Sequence, residues 1–203
     1  MIAKGTGYVK GGGARGRLSA HAKYIEYRAR DDREARDDRR IFDKENDVVS
    51  QRDAVDDIMD HAHQGVAFHK IVLSPSTEEP VYDWREWTRE VMADLEERQG
   101  KELHWFAVKH ENTDNPHVHV VLAGSGENLE TGKTEQIRIY TPDYQFLRES
   151  GQAHSDYEHT REIQGMMQDL DRQDAQIPGA RDVVDQFDAH PQGRGGDRGD
   201  FDR

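Results

Sequence analysis

Apolar positions along this chain follow two periods. Val66 to Leu73 is a short, mostly apolar run closed by Ser74-Pro75, which predicts a strong strand. Leu103 to Lys109 and the run from His117 through Val-Val-Leu-Ala-Gly124 predict two more. Thr6 to Lys10 and Glu135 to Tyr140 are weaker strand signals. Elsewhere the spacing is three to four. Trp84, Trp87, Val91, Met92 and Leu95 make one stripe of a helix from Trp84 to Arg98, stopped by Gly100. Val55, Ile58, Met59 and Ala62 do the same for Gln51 to His63, and Leu18, Ala22, Ile25 and Ala29 for Leu18 to about Arg30, with Ser19 near its start as a cap. Asp143 to about Gly151 predicts a further helix, and 155–175 a polar one.

The order of elements predicts an α+β fold: a central, mostly antiparallel sheet with helices packed on one face and a histidine-bearing hairpin in the sheet centre. The expected organisation is one domain over 1–152, a polar helical extension over 153–176, and a disordered tail over 177–203, where Gly, Asp and Arg dominate. Gly11 to Gly16 is a flexible glycine loop, and the mixed-charge run 30–40 is a solvated segment. Trp84, Trp87 and Trp105 have the spacing of core residues rather than of a base-stacking platform.

Composition narrows the chemistry. The 203 residues contain no cysteine, which excludes disulfides, thiolate metal sites and a cysteine nucleophile. Without a membrane-length apolar run or an N-terminal apolar segment of signal-peptide type, a cytoplasmic protein with no membrane insertion is expected. The net charge is −13, yet residues 1–52 carry 13 Lys/Arg against 9 Asp/Glu. An acidic chain with a basic start can still hold phosphates there. Asp outnumbers Glu and Arg outnumbers Lys, the composition of a high-salt cytoplasm, in which phosphate contacts alone bind nucleic acid weakly.

The most chemically informative stretch is His110-Glu-Asn-Thr-Asp-Asn-Pro-His117-Val-His119. His117 and His119 lie two apart and leave the same strand face. A turn through Asn115-Pro116 can bring His110 back beside them. Three imidazoles then converge without a thiolate, a donor set that suits a divalent metal with open positions; imidazole also suits zinc, iron and copper.

This segment resembles the metal motif of the relaxases, HUH-type endonucleases of single-stranded DNA, which runs His-x-Asp-x-x-x-Pro-His-x-His. The departure is Asn112, where the family usually has aspartate; Glu111 or Asp114 could take over a supporting carboxylate role, and His69 is a further candidate for the metal surroundings. Ala20-His-Ala-Lys-Tyr24-Ile-Glu-Tyr-Arg28 looks like the family's N-terminal motif, Phe68 to Pro75 like its strand before the central helix, and Asp143 to Arg148 like the helix after the hairpin. The resemblance covers roughly residues 4–152. It implies Tyr24 as nucleophile, with Tyr27 as fallback, a 5′-phosphotyrosine intermediate, Mn2+ or Mg2+ (with zinc possible) on His110, His117 and His119, and nicking and rejoining at a plasmid transfer origin, with accessory, transfer or replication proteins as partners. Arg15, Arg17, Lys23 and Arg28 surround Tyr24 and are the candidate phosphate contacts. An alternative is a rolling-circle replication initiator using a tyrosine after the histidines; Tyr140-Thr-Pro-Asp-Tyr144 stands in that place. A non-catalytic DNA-binding module is the third reading.

Overall fold

The computed structural model describes residues 1–27, 40–76, 81–110 and 115–175. The elements are β1 (Ile2–Val9), α1 (Ala14–Tyr27), β2 (Phe42–Asp43), α2 (Gln51–Asp60), β3 (Phe68–Ser74), α3 (Trp84–Gln99), β4 (Trp105–His110), β5 (His117–Ala123), β6 (Ser125–Glu127), β7 (Thr134–Gln136) and α4 (Thr141–Ala175). Five strands form one sheet in the order β1-β3-β5-β4-β2, and every neighbouring pair is antiparallel. β6 and β7 form a separate small hairpin. The α+β class and the central histidine hairpin thus agree with the sequence, since β5 is the middle strand.

Helices cover both faces of the sheet, not one. On the first face Leu18, Ala22 and Ile25 of α1 and Val55 and Ile58 of α2 pack with Phe68, Phe106, Val108 and Val121. On the second face Trp84, Trp87, Val91 and Leu95 of α3 pack with Ile71, Leu73, Trp105, Val118 and Leu122. The strand residues explain this. β3, β4 and β5 are apolar at successive positions, so both faces need cover, as in any sheet whose strands read as continuous apolar runs.

Local chemistry sets the helix ends. The Ser50 hydroxyl accepts from the Asp53 amide at 3.1 Å and caps α2. Asp83 Oδ1 accepts from the amides of Arg85 and Glu86, both at 3.0 Å, and caps α3. Gly100 ends α3 with φ of 62°, a left-handed cap that a side chain disfavours. Gly151 does the opposite of what the sequence suggests. It does not end a helix but lies inside α4, because its missing side chain lets the helix approach. A Cβ there would stand 2.1 Å from Met1 Sδ and 3.0 Å from Trp87 Cζ2, and the Gly151 carbonyl accepts from Trp87 Nε1 at 2.9 Å. β2, only two residues long, carries no periodic signal and was not foreseen. β1 starts earlier than expected, at Ile2, and the strand expected from Glu135 to Tyr140 is confined to Thr134–Gln136.

The chain divides into two compact units, Met1–Thr160 and Arg161–Arg203. The first holds both cores. In the second, 161–168 is helical with exposed side chains. Among the described residues no helix is long and apolar enough to cross a membrane.

Candidate metal and nuclease site

The β4–β5 hairpin builds a histidine cluster by register. His110 and His117 are direct cross-strand partners, and His119 is opposite Val108. Val108 is in the core under α1 and α2, so all three imidazoles leave the sheet on that face. Ring centroids are 5.3 Å apart for His110–His117, 4.8 Å for His110–His119 and 4.9 Å for His117–His119. One ring nitrogen from each lies within 4.8 Å of the others, so the three have the geometry to hold one ion.

Backbone carbonyls fix which nitrogens face inward. A carbonyl oxygen can only accept, so the ring nitrogen beside it carries the hydrogen. His110 Nε2–H donates to the Ile25 carbonyl at 2.6 Å, leaving its Nδ1 as the lone-pair nitrogen. His117 Nδ1–H donates to the Asn115 carbonyl at 2.8 Å, leaving its Nε2. That Nε2 is 3.2 Å from His119 Nε2, a separation that suits two imidazoles sharing an ion at about 2.1 Å each. Ser74 Oγ donates to the Pro116 carbonyl at 2.7 Å and pins the turn that leads into His117. Such outer contacts orient metal-binding imidazoles and raise their basicity.

The bond from His110 ties the hairpin to α1. Ile25 is wholly buried, and Tyr24 precedes it with 48% exposure. One turn earlier His21 meets His119 edge to face at 6.5 Å. Tyr24 therefore lies on the helix segment that touches the cluster through both His21 and Ile25. Tyr27 is exposed at the end of α1.

Sequence reasoning missed His21, Lys70 and Glu26. Burial and then the nearby Lys70 ammonium push the His21 imidazole down to about 4, so it is neutral at ordinary pH. Lys70 is opposite Val121, which puts its side chain on the histidine face. Burial raises the Glu26 carboxyl above its ordinary range, against the opposing pull of Arg40, and its Oε2 has no hydrogen-bond partner among the described residues. The only sequence signal for His21 was its helical spacing from Tyr24; Lys70 needed the β3–β5 register.

The other expected site residues divide. Arg15 is ion-paired with Asp56 of α2. Arg17 donates to the carbonyls of Lys10 at 3.1 Å and Gly12 at 2.8 Å, so it holds the glycine loop. Lys23 is exposed on α1. Arg28, Glu111, Asn112 and Asp114 lie outside the described residues. His69 is placed on the opposite face from the cluster: it is paired with Leu122 of the α3-side core, is buried, and its Nε2–H donates to the Ile137 carbonyl at 3.1 Å. Trp84, Trp87 and Trp105 are buried in that same core. Tyr144 packs there too, with its hydroxyl where a Cβ on Gly5 would be, 2.2 Å away. With Tyr140 and His69 it lines a cleft of about 800 Å3.

No curated protein matches the chain. The family model for the relaxase, MobA/VirD2-like, nuclease domain, matches residues 24–173, from Tyr24 through the histidine hairpin and into α4. With a divalent-metal donor set on the central hairpin of an antiparallel sheet, this match places the chain in the relaxase family of HUH endonucleases, as a MobA/VirD2-like DNA-nicking nuclease domain.

Proposed function

We propose that this domain nicks and rejoins one strand of single-stranded DNA at a plasmid transfer origin, with Tyr24 as nucleophile. The Tyr24 phenol loses its proton to solvent, and its oxygen attacks the scissile phosphorus and forms an O–P bond. The bond from phosphorus to the 3′ oxygen breaks, and that oxygen leaves as a 3′-hydroxyl after taking a proton. The 5′ end remains on Tyr24 as a phosphotyrosine, which keeps the phosphodiester energy for rejoining by a later 3′-hydroxyl. His110, His117 and His119 would hold a divalent ion, Mn2+ or Mg2+, with zinc as a further possibility. When bound, the ion supplies Lewis-acid neutralisation of the growing phosphoryl charge. Three neutral imidazoles carry no negative charge, so they would leave the ion's own positive charge undiminished. Lys70 on the histidine face and the exposed Lys23 of α1 would steer phosphates. Accessory and transfer proteins would supply strand separation.

The single observation that carries this reading is the hydrogen bond from His110 to Ile25, which puts the residue after Tyr24 against the cluster. The test is capture of a covalent adduct on oligonucleotides scanning the protein's own replicon. Tyr24→Phe is expected to abolish the adduct and Tyr144→Phe to leave it. The reverse result would support the replication-initiator reading. Tyr144 packs in the core of the other face, and burial, with the neighbouring Asp143, pushes its phenol above the ordinary tyrosine range. A phenolate is harder to form there. An absence of any metal-dependent nicking would leave a non-catalytic DNA-binding module.

A further inference from the structure

A second set of metal-binding side chains lies at the other end of β4. Asp57 and His61 are four apart at the C-terminus of α2, so they share a helix face. His104 immediately precedes β4. Its Nδ1 is 3.2 Å from Asp57 Oδ1, and His61 Nδ1 is 3.4 Å from the same oxygen. The two imidazoles are stacked, with centroids 3.3 Å apart and planes within 7°. The three ligand atoms lie within 4.8 Å of one another. Their side chains remain 46%, 34% and 22% exposed for Asp57, His61 and His104, so an ion can reach them from solvent.

The backbones that carry these groups are held. The His61 carbonyl accepts from the Ser125 amide at 3.0 Å and the Ser125 hydroxyl at 2.8 Å. The His104 carbonyl accepts from the Ala123 amide at 2.9 Å. Lys44, the cation nearest His104 in its electrostatic surroundings, is itself paired with Glu96 at 3.0 Å, and Glu102 adds negative charge. His110 is six residue steps along the chain from His104, about 20 Å at roughly 3.3 Å per residue. The set is therefore distinct from the nuclease cluster.

We propose that Asp57, His61 and His104 form a second divalent-metal site, of the zinc class. Two imidazoles and one carboxylate suit Zn2+, Co2+, Ni2+ or Cu2+ far better than Mg2+, and leave at least one position for water or a further ligand. His61 Nδ1 lies 2.9 Å from the Asp57 main-chain carbonyl, so the free ring carries its hydrogen there; to hold the ion through Nδ1 the ring takes its other tautomer, with the hydrogen on Nε2. The ion clamps the end of α2 to the entry of β4. It acts as a structural tie, separate from the nicking reaction.

Titration of the full chain with Co2+, followed by its visible absorption bands, tests the site. Two equivalents are expected for the wild type. His117→Asn with His119→Asn is expected to leave one equivalent. His104→Asn is expected to remove the other while nicking is unchanged. His61→Gln gives the same reading should His104→Asn fold poorly, with far-ultraviolet circular dichroism as the check on folding. In the His117→Asn/His119→Asn protein, Zn2+ is expected to raise the melting temperature, and adding Asp57→Asn to cancel the rise. Loss of all bound Co2+ in the His117→Asn/His119→Asn protein, or an equivalent in that protein that survives both His104→Asn and His61→Gln, overturns the proposal without touching the Tyr24 assignment.

Discussion

His110 Nε2 lies 2.6 Å from the carbonyl oxygen of Ile25, a residue 85 positions earlier in the chain. The bond fixes an imidazole tautomer and locates α1 at the same time. His110→Ala should therefore do more than remove one donor. It should weaken Mn2+ binding and also loosen the placement of Tyr24. The expected outcome is a loss of oligonucleotide nicking of at least about 100-fold, beyond the 10–100-fold typical of a lost outer contact, and not restored by raising Mn2+. A single-turnover nicking assay across a Mn2+ series measures both effects; full rescue by excess Mn2+ would mean that His110 only contributes affinity.

The cationic residues near Tyr24 should differ in their DNA effects. Arg15 already has Asp56 as a partner, whereas Lys23 is exposed. Lys23→Ala is expected to lower the slope of log K against log salt for single-stranded DNA by about 0.7, one phosphate contact. Arg15→Ala should leave the slope unchanged. Fluorescence anisotropy at several salt concentrations checks this, and equal slopes for all three proteins would remove Lys23 from the interface.

His69 should make the fold acid-sensitive. Burial lowers its pKa below the ordinary histidine value, with the bond to Ile137 partly opposing. The unfolded chain takes up a proton on this residue below about pH 6.5, and the folded chain resists it. Stability is therefore undiminished above that pH and falls as pH drops from 6.5 towards the depressed folded value. His69→Gln removes the titrating group, so it should show a smaller loss of urea midpoint between pH 7 and 5 than the wild type. His21 titrates in both proteins and cancels from the comparison.

Trp87 should be the costliest single truncation in the α3-side core. It is fully buried and its indole N–H donates to Gly151. Trp87→Ala is expected to destabilise the first unit by about 3–5 kcal/mol in urea unfolding. Gly151→Ala should also destabilise it, by about 1–3 kcal/mol, since the new methyl meets Met1 and Trp87. Additive losses in the double variant would mean that the two positions do not share the contact described.

Much of this arrangement was legible because its information is local. The stripe from Trp84 to Leu95, the αL stop at Gly100 and the ten-residue histidine hairpin each depend on spacing within a few turns or strands. What escaped depends on distant pairing. His21 and Lys70 join the histidine face only through helix docking and strand register. Asp57, His61 and His104 meet because α2 ends where β4 begins. Gly151 was misread as a stop because its close neighbours, Met1 and Trp87, are far off in sequence. Two-sided helix cover follows from the nearly continuous apolar runs of β3, β4 and β5, whose meaning for both faces the expectation of one covered face left unused.

The tie between α1 and the cluster runs through a main-chain oxygen, so no side chain at position 25 specifies it. What specifies it is helical phase. Each residue turns an α-helix by about 100°. Inserting one residue between Leu18 and Tyr24 would keep Leu18 in the core yet turn Tyr24 by about 100° around the helix axis. Deleting one would swing it the other way. With Tyr24 as the proposed nucleophile, the spacing between the buried residues of α1 and its tyrosine is thus a length constraint. It can hold while exposed residues of the helix other than Lys23 and Tyr24 change.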